Sequence, residues 1–247
     1  MQAFTAAIGL SVLGSLGGLL TASGFLLLGD GLRTRLVPVA ISYAVGTLLG
    51  VALLALLPEA LEQLPASRAL GTLLAGVLTF FLLEKLVLWR HCHDGDGHQC
   101  EVHTSSAASL VIIGDAFHTF VDGAIIAAAV LTSIPLGITT ALAVAAHEIP
   151  QEVGDVAILL RAGYSRSRAL TLNLMSGIGG VLGAIAMLMA SQAVPLALPY
   201  VLSFAAGNFL YIAMADLIPD LHRGGVEGSA LRQMALIGAG VLTIVLL

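Results

Sequence analysis

Charge is what this sequence has least of. Of its 247 residues only 10% are Asp, Glu, Lys or Arg, whereas 58% are hydrophobic and the mean hydropathy is +1.00. Soluble domains carry about 25% charged residues, so the composition excludes an ordinary soluble fold and predicts an integral membrane protein with the lipid bilayer as its surroundings. Basic residues number ten against fifteen acidic ones and scatter singly at the ends of apolar runs. With no basic patch, nucleic acid is not an expected partner. Cysteine is nearly absent: Cys92 and Cys100 sit in one polar loop among histidines, which argues against a disulfide framework and for metal contact. No basic segment precedes the first apolar run, which continues past signal-peptide length and is read as a retained span.

What the chain has in abundance is apolar runs bounded by Pro, Gly or charge. They predict eight helices, at about 3–28, 37–57, 69–89, 107–131, 136–160, 167–191, 196–217 and 230–247. The fold class is therefore an all-α polytopic membrane protein with eight transmembrane helices in one domain. Helices 1–3 fill about 3–90, a His/Cys-rich cytoplasmic loop about 91–105, helices 4–5 about 106–161 and helices 6–8 about 167–247. Under this topology Arg33, Arg35, Lys85, Arg90, Arg161, Arg166, Arg168, Arg223 and Arg232 fall on one side and Arg68 alone on the other. Because basic residues near span ends stay on the cytoplasmic side, both termini are expected outside the cytoplasm, in a plasma or inner membrane.

The chain also repeats itself. Leu16-Gly17-Gly18-Leu19-Leu20 resembles Ile178-Gly179-Gly180-Val181-Leu182, and Ala75-Gly76-Val77-Leu78-Thr79 recurs as Ala239-Gly240-Val241-Leu242-Thr243. Ser42-Tyr43-Ala44-Val45-Gly46, with Pro58-Glu59 downstream, resembles Ser203-Phe204-Ala205-Ala206-Gly207, with Pro219-Asp220. The offsets are 162 (178 − 16), 164 (239 − 75) and 161 (203 − 42), so helices 1–3 match helices 6–8 in order. A displacement of five spans inverts the second copy in the membrane, the arrangement common in transporters. Glycine pairs four apart, Gly14/Gly18, Gly46/Gly50 and Gly179/Gly183, are placed for close helix packing. Pro150 falls mid-span in helix 5, where it leaves the carbonyl near Ala146 free and predicts a kink.

Between the repeats lie two apolar segments that carry five carboxylates and two histidines. A charged group at mid-membrane costs about 2.5–3.5 kcal/mol on insertion scales, so a cation, protons or water must neutralise them. At about 100° per residue, Asp115, His118 and Asp122 share one face of helix 4. On helix 5, His147, Gln151 and Asp155 recur every four residues, with Glu148 and Glu152 about 100° and 140° around from His147. Two facing helices can offer such imidazole, carboxylate and amide groups to one metal. The mixed N/O set suits Zn²⁺, Fe²⁺ or Mn²⁺ better than Ca²⁺ or Mg²⁺. Interhelical hydrogen bonding and a metal-free proton path are the other readings. An intramembrane metallohydrolase is the enzymatic alternative, because His147-Glu148 begins an H-E-x-x-H motif, but Gln151 stands where its second histidine belongs. The loop from His91 to His103 adds a further metal-binding tract, with His91, Cys92, His93, His98, Cys100 and His103 as candidates.

His118-Thr119-Phe120-Val121-Asp122-Gly123 and His147-Glu148-Ile149-Pro150-Gln151-Glu152 resemble the paired metal-binding motifs of the ZIP (Zrt/Irt-like) metal transporters. The eight spans, the histidine-bearing loop after helix 3 and Ala213-Met214-Ala215-Asp216-Leu217-Ile218-Pro219 in helix 7 extend the resemblance over nearly the whole chain. It implies a transporter and not an enzyme, an inverted 3+2+3 architecture, a homodimer, and uptake of a divalent metal, zinc first with Fe or Mn behind it, through a site between helices 4 and 5. His118, Asp122, His147 and Gln151 would line the primary site; Thr119 and Glu148, with Asp122 shared, a neighbouring one. Asp115, Glu152 and Asp155 are further candidates.

Overall fold

In lipid only a helix satisfies its own backbone hydrogen bonds within one segment, and the apolar runs fold accordingly. The computed structural model describes residues 2–27, 30–92, 104–193, 195–223 and 230–247, and among them there are eight helices and no strand. Helix α1 is Gln2–Leu27. Helix α2 starts as Asp30–Gly50, passes through a π-helical segment, Val51–Leu56, and finishes as Leu57–Gln63. Then come α3 (Ala66–Cys92), α4 (Thr104–Thr132), α5 (Ile134–Arg161) and α6 (Arg166–Ala193). Helix α7 follows a 3₁₀ turn, running through Leu198–Tyr211, a second π-helical segment, Ile212–Leu217, and Ile218–Arg223. Helix α8 is Ala230–Leu246.

Five of the described stretches are long and apolar enough to cross a membrane: Arg35–Gln63, Ala66–Leu83, Ile112–Thr132, Arg166–Ser191 and Leu198–His222. Helix α5, at 28 residues, is just as long. It carries Glu148, Glu152 and Asp155, and it is shielded from lipid by α1, α2, α4 and α6, which all pack on it. The chain is a polytopic membrane protein.

The predicted second helix, 37–57, is too short at both ends, since α2 runs from Asp30 to Gln63. Proline was expected to stop it at Pro58, because the ring clashes with the carbonyl four residues back. The π-helical segment just before Pro58 widens the backbone and removes the hydrogen-bond register in which that clash arises. The same device stands before Pro219 in α7, and its bounds, Ile212–Leu217, lie 161 residues after Val51–Leu56 (212 − 51 = 161). In α5 the helix continues through Pro150 without interruption.

The helices sort into two four-membered bundles. In the first, α4 packs most extensively on α6, and α1 on α5. In the second, α2 packs on α8 and α3 on α7. Close approach depends on missing side chains: a Cβ on Gly46 of α2 would overlap the Ile237 carbonyl of α8, and one on Gly207 of α7 would overlap the Leu73 carbonyl of α3. The α4–α6 contact is the tightest. There a Cβ on Gly123 would overlap the Gly180 carbonyl, and one on Gly183 the Phe120 carbonyl.

Ser133 alone connects α4 to α5. Its hydroxyl accepts a hydrogen bond from the Leu136 N–H at 3.2 Å and so caps α5, while the Gly137 N–H donates to the Ser133 carbonyl at 3.0 Å. Such a short connection forces the two helices antiparallel and adjacent. Residues equidistant from the turn therefore meet.

Candidate metal centre

His118 lies 15 residues before Ser133 and His147 lies 14 after it, so the turn sets them at one depth (29 residues apart). At about 1.5 Å per residue that depth is roughly 20 Å from the hairpin tip, well inside a hydrocarbon core about 30 Å thick. The two Nε2 atoms stand 3.2 Å apart, with the rings edge to face. One turn along α4 from His118, Asp122 Oδ2 lies 3.1 Å from His147 Nε2 and 3.5 Å from His118 Nε2. Glu148 Oε1 completes the group at 3.8 Å from His147 Nε2 and 3.9 Å from His118 Nε2. One ligand atom from each of the four residues falls within 4.8 Å of all the others.

His147 Nδ1 is 3.1 Å from the Ala143 carbonyl and donates to it, which leaves Nε2 as the lone-pair nitrogen facing the cluster. Asp122, His147 and Glu148 are buried; His118 retains 13% side-chain exposure and is the open side. Neither oxygen of Asp122 nor of Glu148 has a hydrogen-bond donor. Buried carboxylates are ordinarily paired, hydrogen-bonded or bound to metal. Four convergent ligand atoms, two of them imidazole nitrogens, match the donor set of a transition-metal ion.

The second bundle covers this cluster with aromatic rings. Phe80 of α3 meets His118 edge-on at 6.5 Å between centroids, and Phe209 of α7 lies 5.9 Å from the His147 ring. Phe204 backs Phe80 at 6.4 Å. Beside Phe209, Asn208 is buried with neither amide atom hydrogen-bonded.

The remaining candidates lie elsewhere. Thr119 is buried, but its hydroxyl stands 3.0 Å from the Asp115 carbonyl and 2.9 Å from the Ser176 carbonyl of α6, so it ties α4 to α6. Gln151 lies against Asp115. Asp115 and Glu152 are buried one turn away from the four-residue cluster, and each is hydrogen-bonded to α6: Asp115 to Ser176, Glu152 to Asn173. Asp155 is half-buried. His91 and Cys92 close α3, but their side chains, and all of His93, His98, Cys100 and His103, lie outside the described residues. Sequence reasoning did not single out Asn173, Ser176, Asn208 or the aromatic wall. A lone Asn within an apolar run, at 173 and at 208, was the available signal.

The fold and this cluster define a class: polytopic α-helical membrane proteins that bury ionisable ligands between spans. Residues 89–247 match the family described as ZIP Zinc transporter. The chain is 36% identical over 222 residues to the zinc transporter ZIP13 of Pongo abelii, covering 83% of this chain and 65% of the relative. It is 33% identical over 247 residues to zinc transporter ZIP13 of Mus musculus, covering 84% and 68%. A match to zinc transporter ZIP10 of Danio rerio is shorter, 38% over 123 residues, covering 50% and 14%. The chain belongs to the ZIP zinc transporter family, and spans about two thirds of the length of the ZIP13 relatives. That family consists of transporters, which sets aside the metallohydrolase alternative.

Proposed function

We propose that this chain carries a divalent transition metal, zinc foremost with Fe²⁺ and Mn²⁺ as lesser substrates, across its membrane into the cytoplasm by way of the site between α4 and α5. One observation carries the reading: His118, Asp122, His147 and Glu148 converge with their buried carboxylate oxygens free of hydrogen-bond donors. Those oxygens and the imidazole nitrogens are the ligands, and Gln151 lies one turn further toward the C-terminal end of α5. The names of the relatives support zinc as the substrate. The distribution of basic residues supports outside termini and inward delivery. The equal offset of the two π-helical segments, and the reciprocal packing of α2 on α8 and α3 on α7, support an inverted repeat that flanks α4 and α5. A homodimer is the expected assembly.

Uptake of radioactive zinc by proteoliposomes, with iron and manganese as competitors, tests the proposal. Zinc accumulation above that of empty vesicles, reduced most by excess cold zinc, is the expected result. Vesicles that accumulate none of the three metals would refute it.

The loop is not needed for passage in this reading, since among the described residues the converging ligands belong to α4 and α5. Deleting residues 91–103 should leave the initial uptake rate within about twofold of wild type, as polar connecting segments commonly tolerate deletion. It should instead alter retention of cytoplasmic metal. Loss of uptake from a well-expressed deletion protein would make the loop part of the pathway.

A further inference from the structure

Asn208 is a polar side chain for which the fold provides no partner. It lies in the Leu198–Tyr211 part of α7, fully buried, and neither its amide oxygen nor its amide nitrogen is hydrogen-bonded. Buried amides are ordinarily paired, so one left open in a packed bundle calls for an explanation. Its neighbours on the helix say where it stands. Phe204, one turn earlier, backs the Phe80 ring that meets His118, and Phe209, the next residue, lies against the His147 ring. At about 100° per residue, Asn208 is about 40° around α7 from Phe204 and about 100° from Phe209, on the arc between them. That arc turns toward the two histidines. The adjoining arc is closed by α3, where Gly207 packs against the Leu73 carbonyl and Gly76 against the Phe204 carbonyl. Helix α7 also packs directly on α4, which carries His118 and Asp122.

The internal repeat supplies a comparison. Thr47 of α2 stands 161 residues earlier (208 − 161 = 47), as Gly46 does relative to Gly207, and both glycines press against a backbone carbonyl of the helix beside them. Thr47 is equally buried, but its hydroxyl is 3.0 Å from the Ala44 carbonyl of its own helix. The shared scaffold is thus built without an open amide. Asn208 serves something other than packing.

We propose that Asn208 is a specificity-determining ligand whose amide oxygen reaches, from the opposite bundle, the ion held by His118, Asp122, His147 and Glu148. This rests on the reading of that cluster as the metal's site. The imidazoles and carboxylates come from α4 and α5 in the first bundle and the amide from α7 in the second, so an ion bound by all five residues ties the bundles together. A neutral oxygen adds neither charge nor nitrogen. It contributes more to a harder ion such as Mn²⁺ than to Zn²⁺, for which two imidazoles and two carboxylates already complete a four-coordinate set. Asn208 therefore widens the range of metals that the site accepts.

Titration calorimetry of the full-length protein in detergent, with Zn²⁺ and separately with Mn²⁺, tests this. Asn208→Leu keeps the volume and removes the amide; it should weaken Mn²⁺ binding about 10–100-fold, the range for losing even a supporting partner of a metal ligand, and Zn²⁺ binding less. Preference for zinc should rise. Asn208→Asp keeps an oxygen and adds a charge, and should bind Mn²⁺ at least as tightly as wild type. Thr47→Val, at the repeat-related position, should leave both affinities unchanged. Unaltered affinities in folded Asn208→Leu overturn the proposal, and so does an equal loss in Thr47→Val, which would make the effect one of packing. If Asn208→Leu does not fold, Asn208→Asp decides, and Mn²⁺ binding weaker than wild type overturns the ligand role. Failure of the underlying reading shows elsewhere: wild-type zinc affinity in His147→Ala overturns the cluster itself, and the role of Asn208 with it.

Discussion

Zinc uptake by proteoliposomes containing His147→Ala or Asp122→Ala should fall to the level of empty vesicles, although both variants keep the circular dichroism and gel-filtration behaviour of the parent. His147 Nε2 is within 3.2 Å of His118 Nε2 and 3.1 Å of Asp122 Oδ2, so either truncation removes an atom from the centre of the proposed ligand set. Losing even a supporting hydrogen bond to a ligand costs roughly 10–100-fold in metal affinity, and a lost ligand should exceed that. The fold survives for a physical reason. Asp122 has no hydrogen bond to lose, and its deletion removes a buried charge. His147 makes two, one to the backbone of its own helix and one to His118 within the cluster, and neither ties it to another part of the core. Wild-type uptake by either folded variant would move the pathway away from this cluster.

Gly123→Val should have the opposite character, destroying the fold and sparing the chemistry. A Cβ at 123 would overlap the backbone carbonyl of Gly180 on α6, and Gly183 is held as closely against α4. Backbone cannot swing aside as a side chain can, so the destabilisation should exceed the ~1–3 kcal/mol typical of overpacking. The variant should fail to accumulate as monodisperse protein. Gly71→Ala is the control, because nothing lies within 4 Å of a Cβ there, and helix propensity favours it by about 1 kcal/mol. Equal yield and thermal stability of Gly123→Val and Gly71→Ala would show that α4 and α6 can separate without loss.

The contrast between these variants follows what could be read from the residues. Helical periodicity put Asp115, His118 and Asp122 on one face and His147 with Gln151 on another, because 3.6 residues per turn is a local rule that needs no tertiary knowledge. The glycines 179 and 183 carried the same kind of signal. Angular position did not reveal the division of the acidic residues into two groups. Asp115 shares a face with His118, yet it is drawn to Ser176 on a helix more than fifty residues away in sequence. Thr119 adjoins His118 in sequence, but its hydroxyl bonds to backbone, as threonines in apolar helices commonly do. Nothing in the periodicity marks Phe80 and Phe209, whose contacts with the histidine rings arise only from the packing of the second bundle on the first. The ends of α2 were missed because proline ordinarily ends a helix, and the π-helical segments that accommodate Pro58 and Pro219 have no sequence signature of their own.

The single-residue connection at Ser133 has a consequence for how the protein is made. Helix α4 by itself presents Asp115, His118 and Asp122 to lipid with nothing opposite, at an insertion cost of about 2.5–3.5 kcal/mol for each ionised carboxylate at the centre. Its counterparts arrive only with residues 147–155, on the returning limb of the hairpin. Lateral release of α4 from the insertion machinery is therefore tied to synthesis of α5, and the two spans enter the bilayer as one unit. Asn173 and Ser176 emerge later still, so Asp115 and Glu152 wait for their donors until α6 docks. Assembly of this protein thus has an order written into it, with the hairpin of α4 and α5 first and the helix that holds Asp115 and Glu152 afterwards.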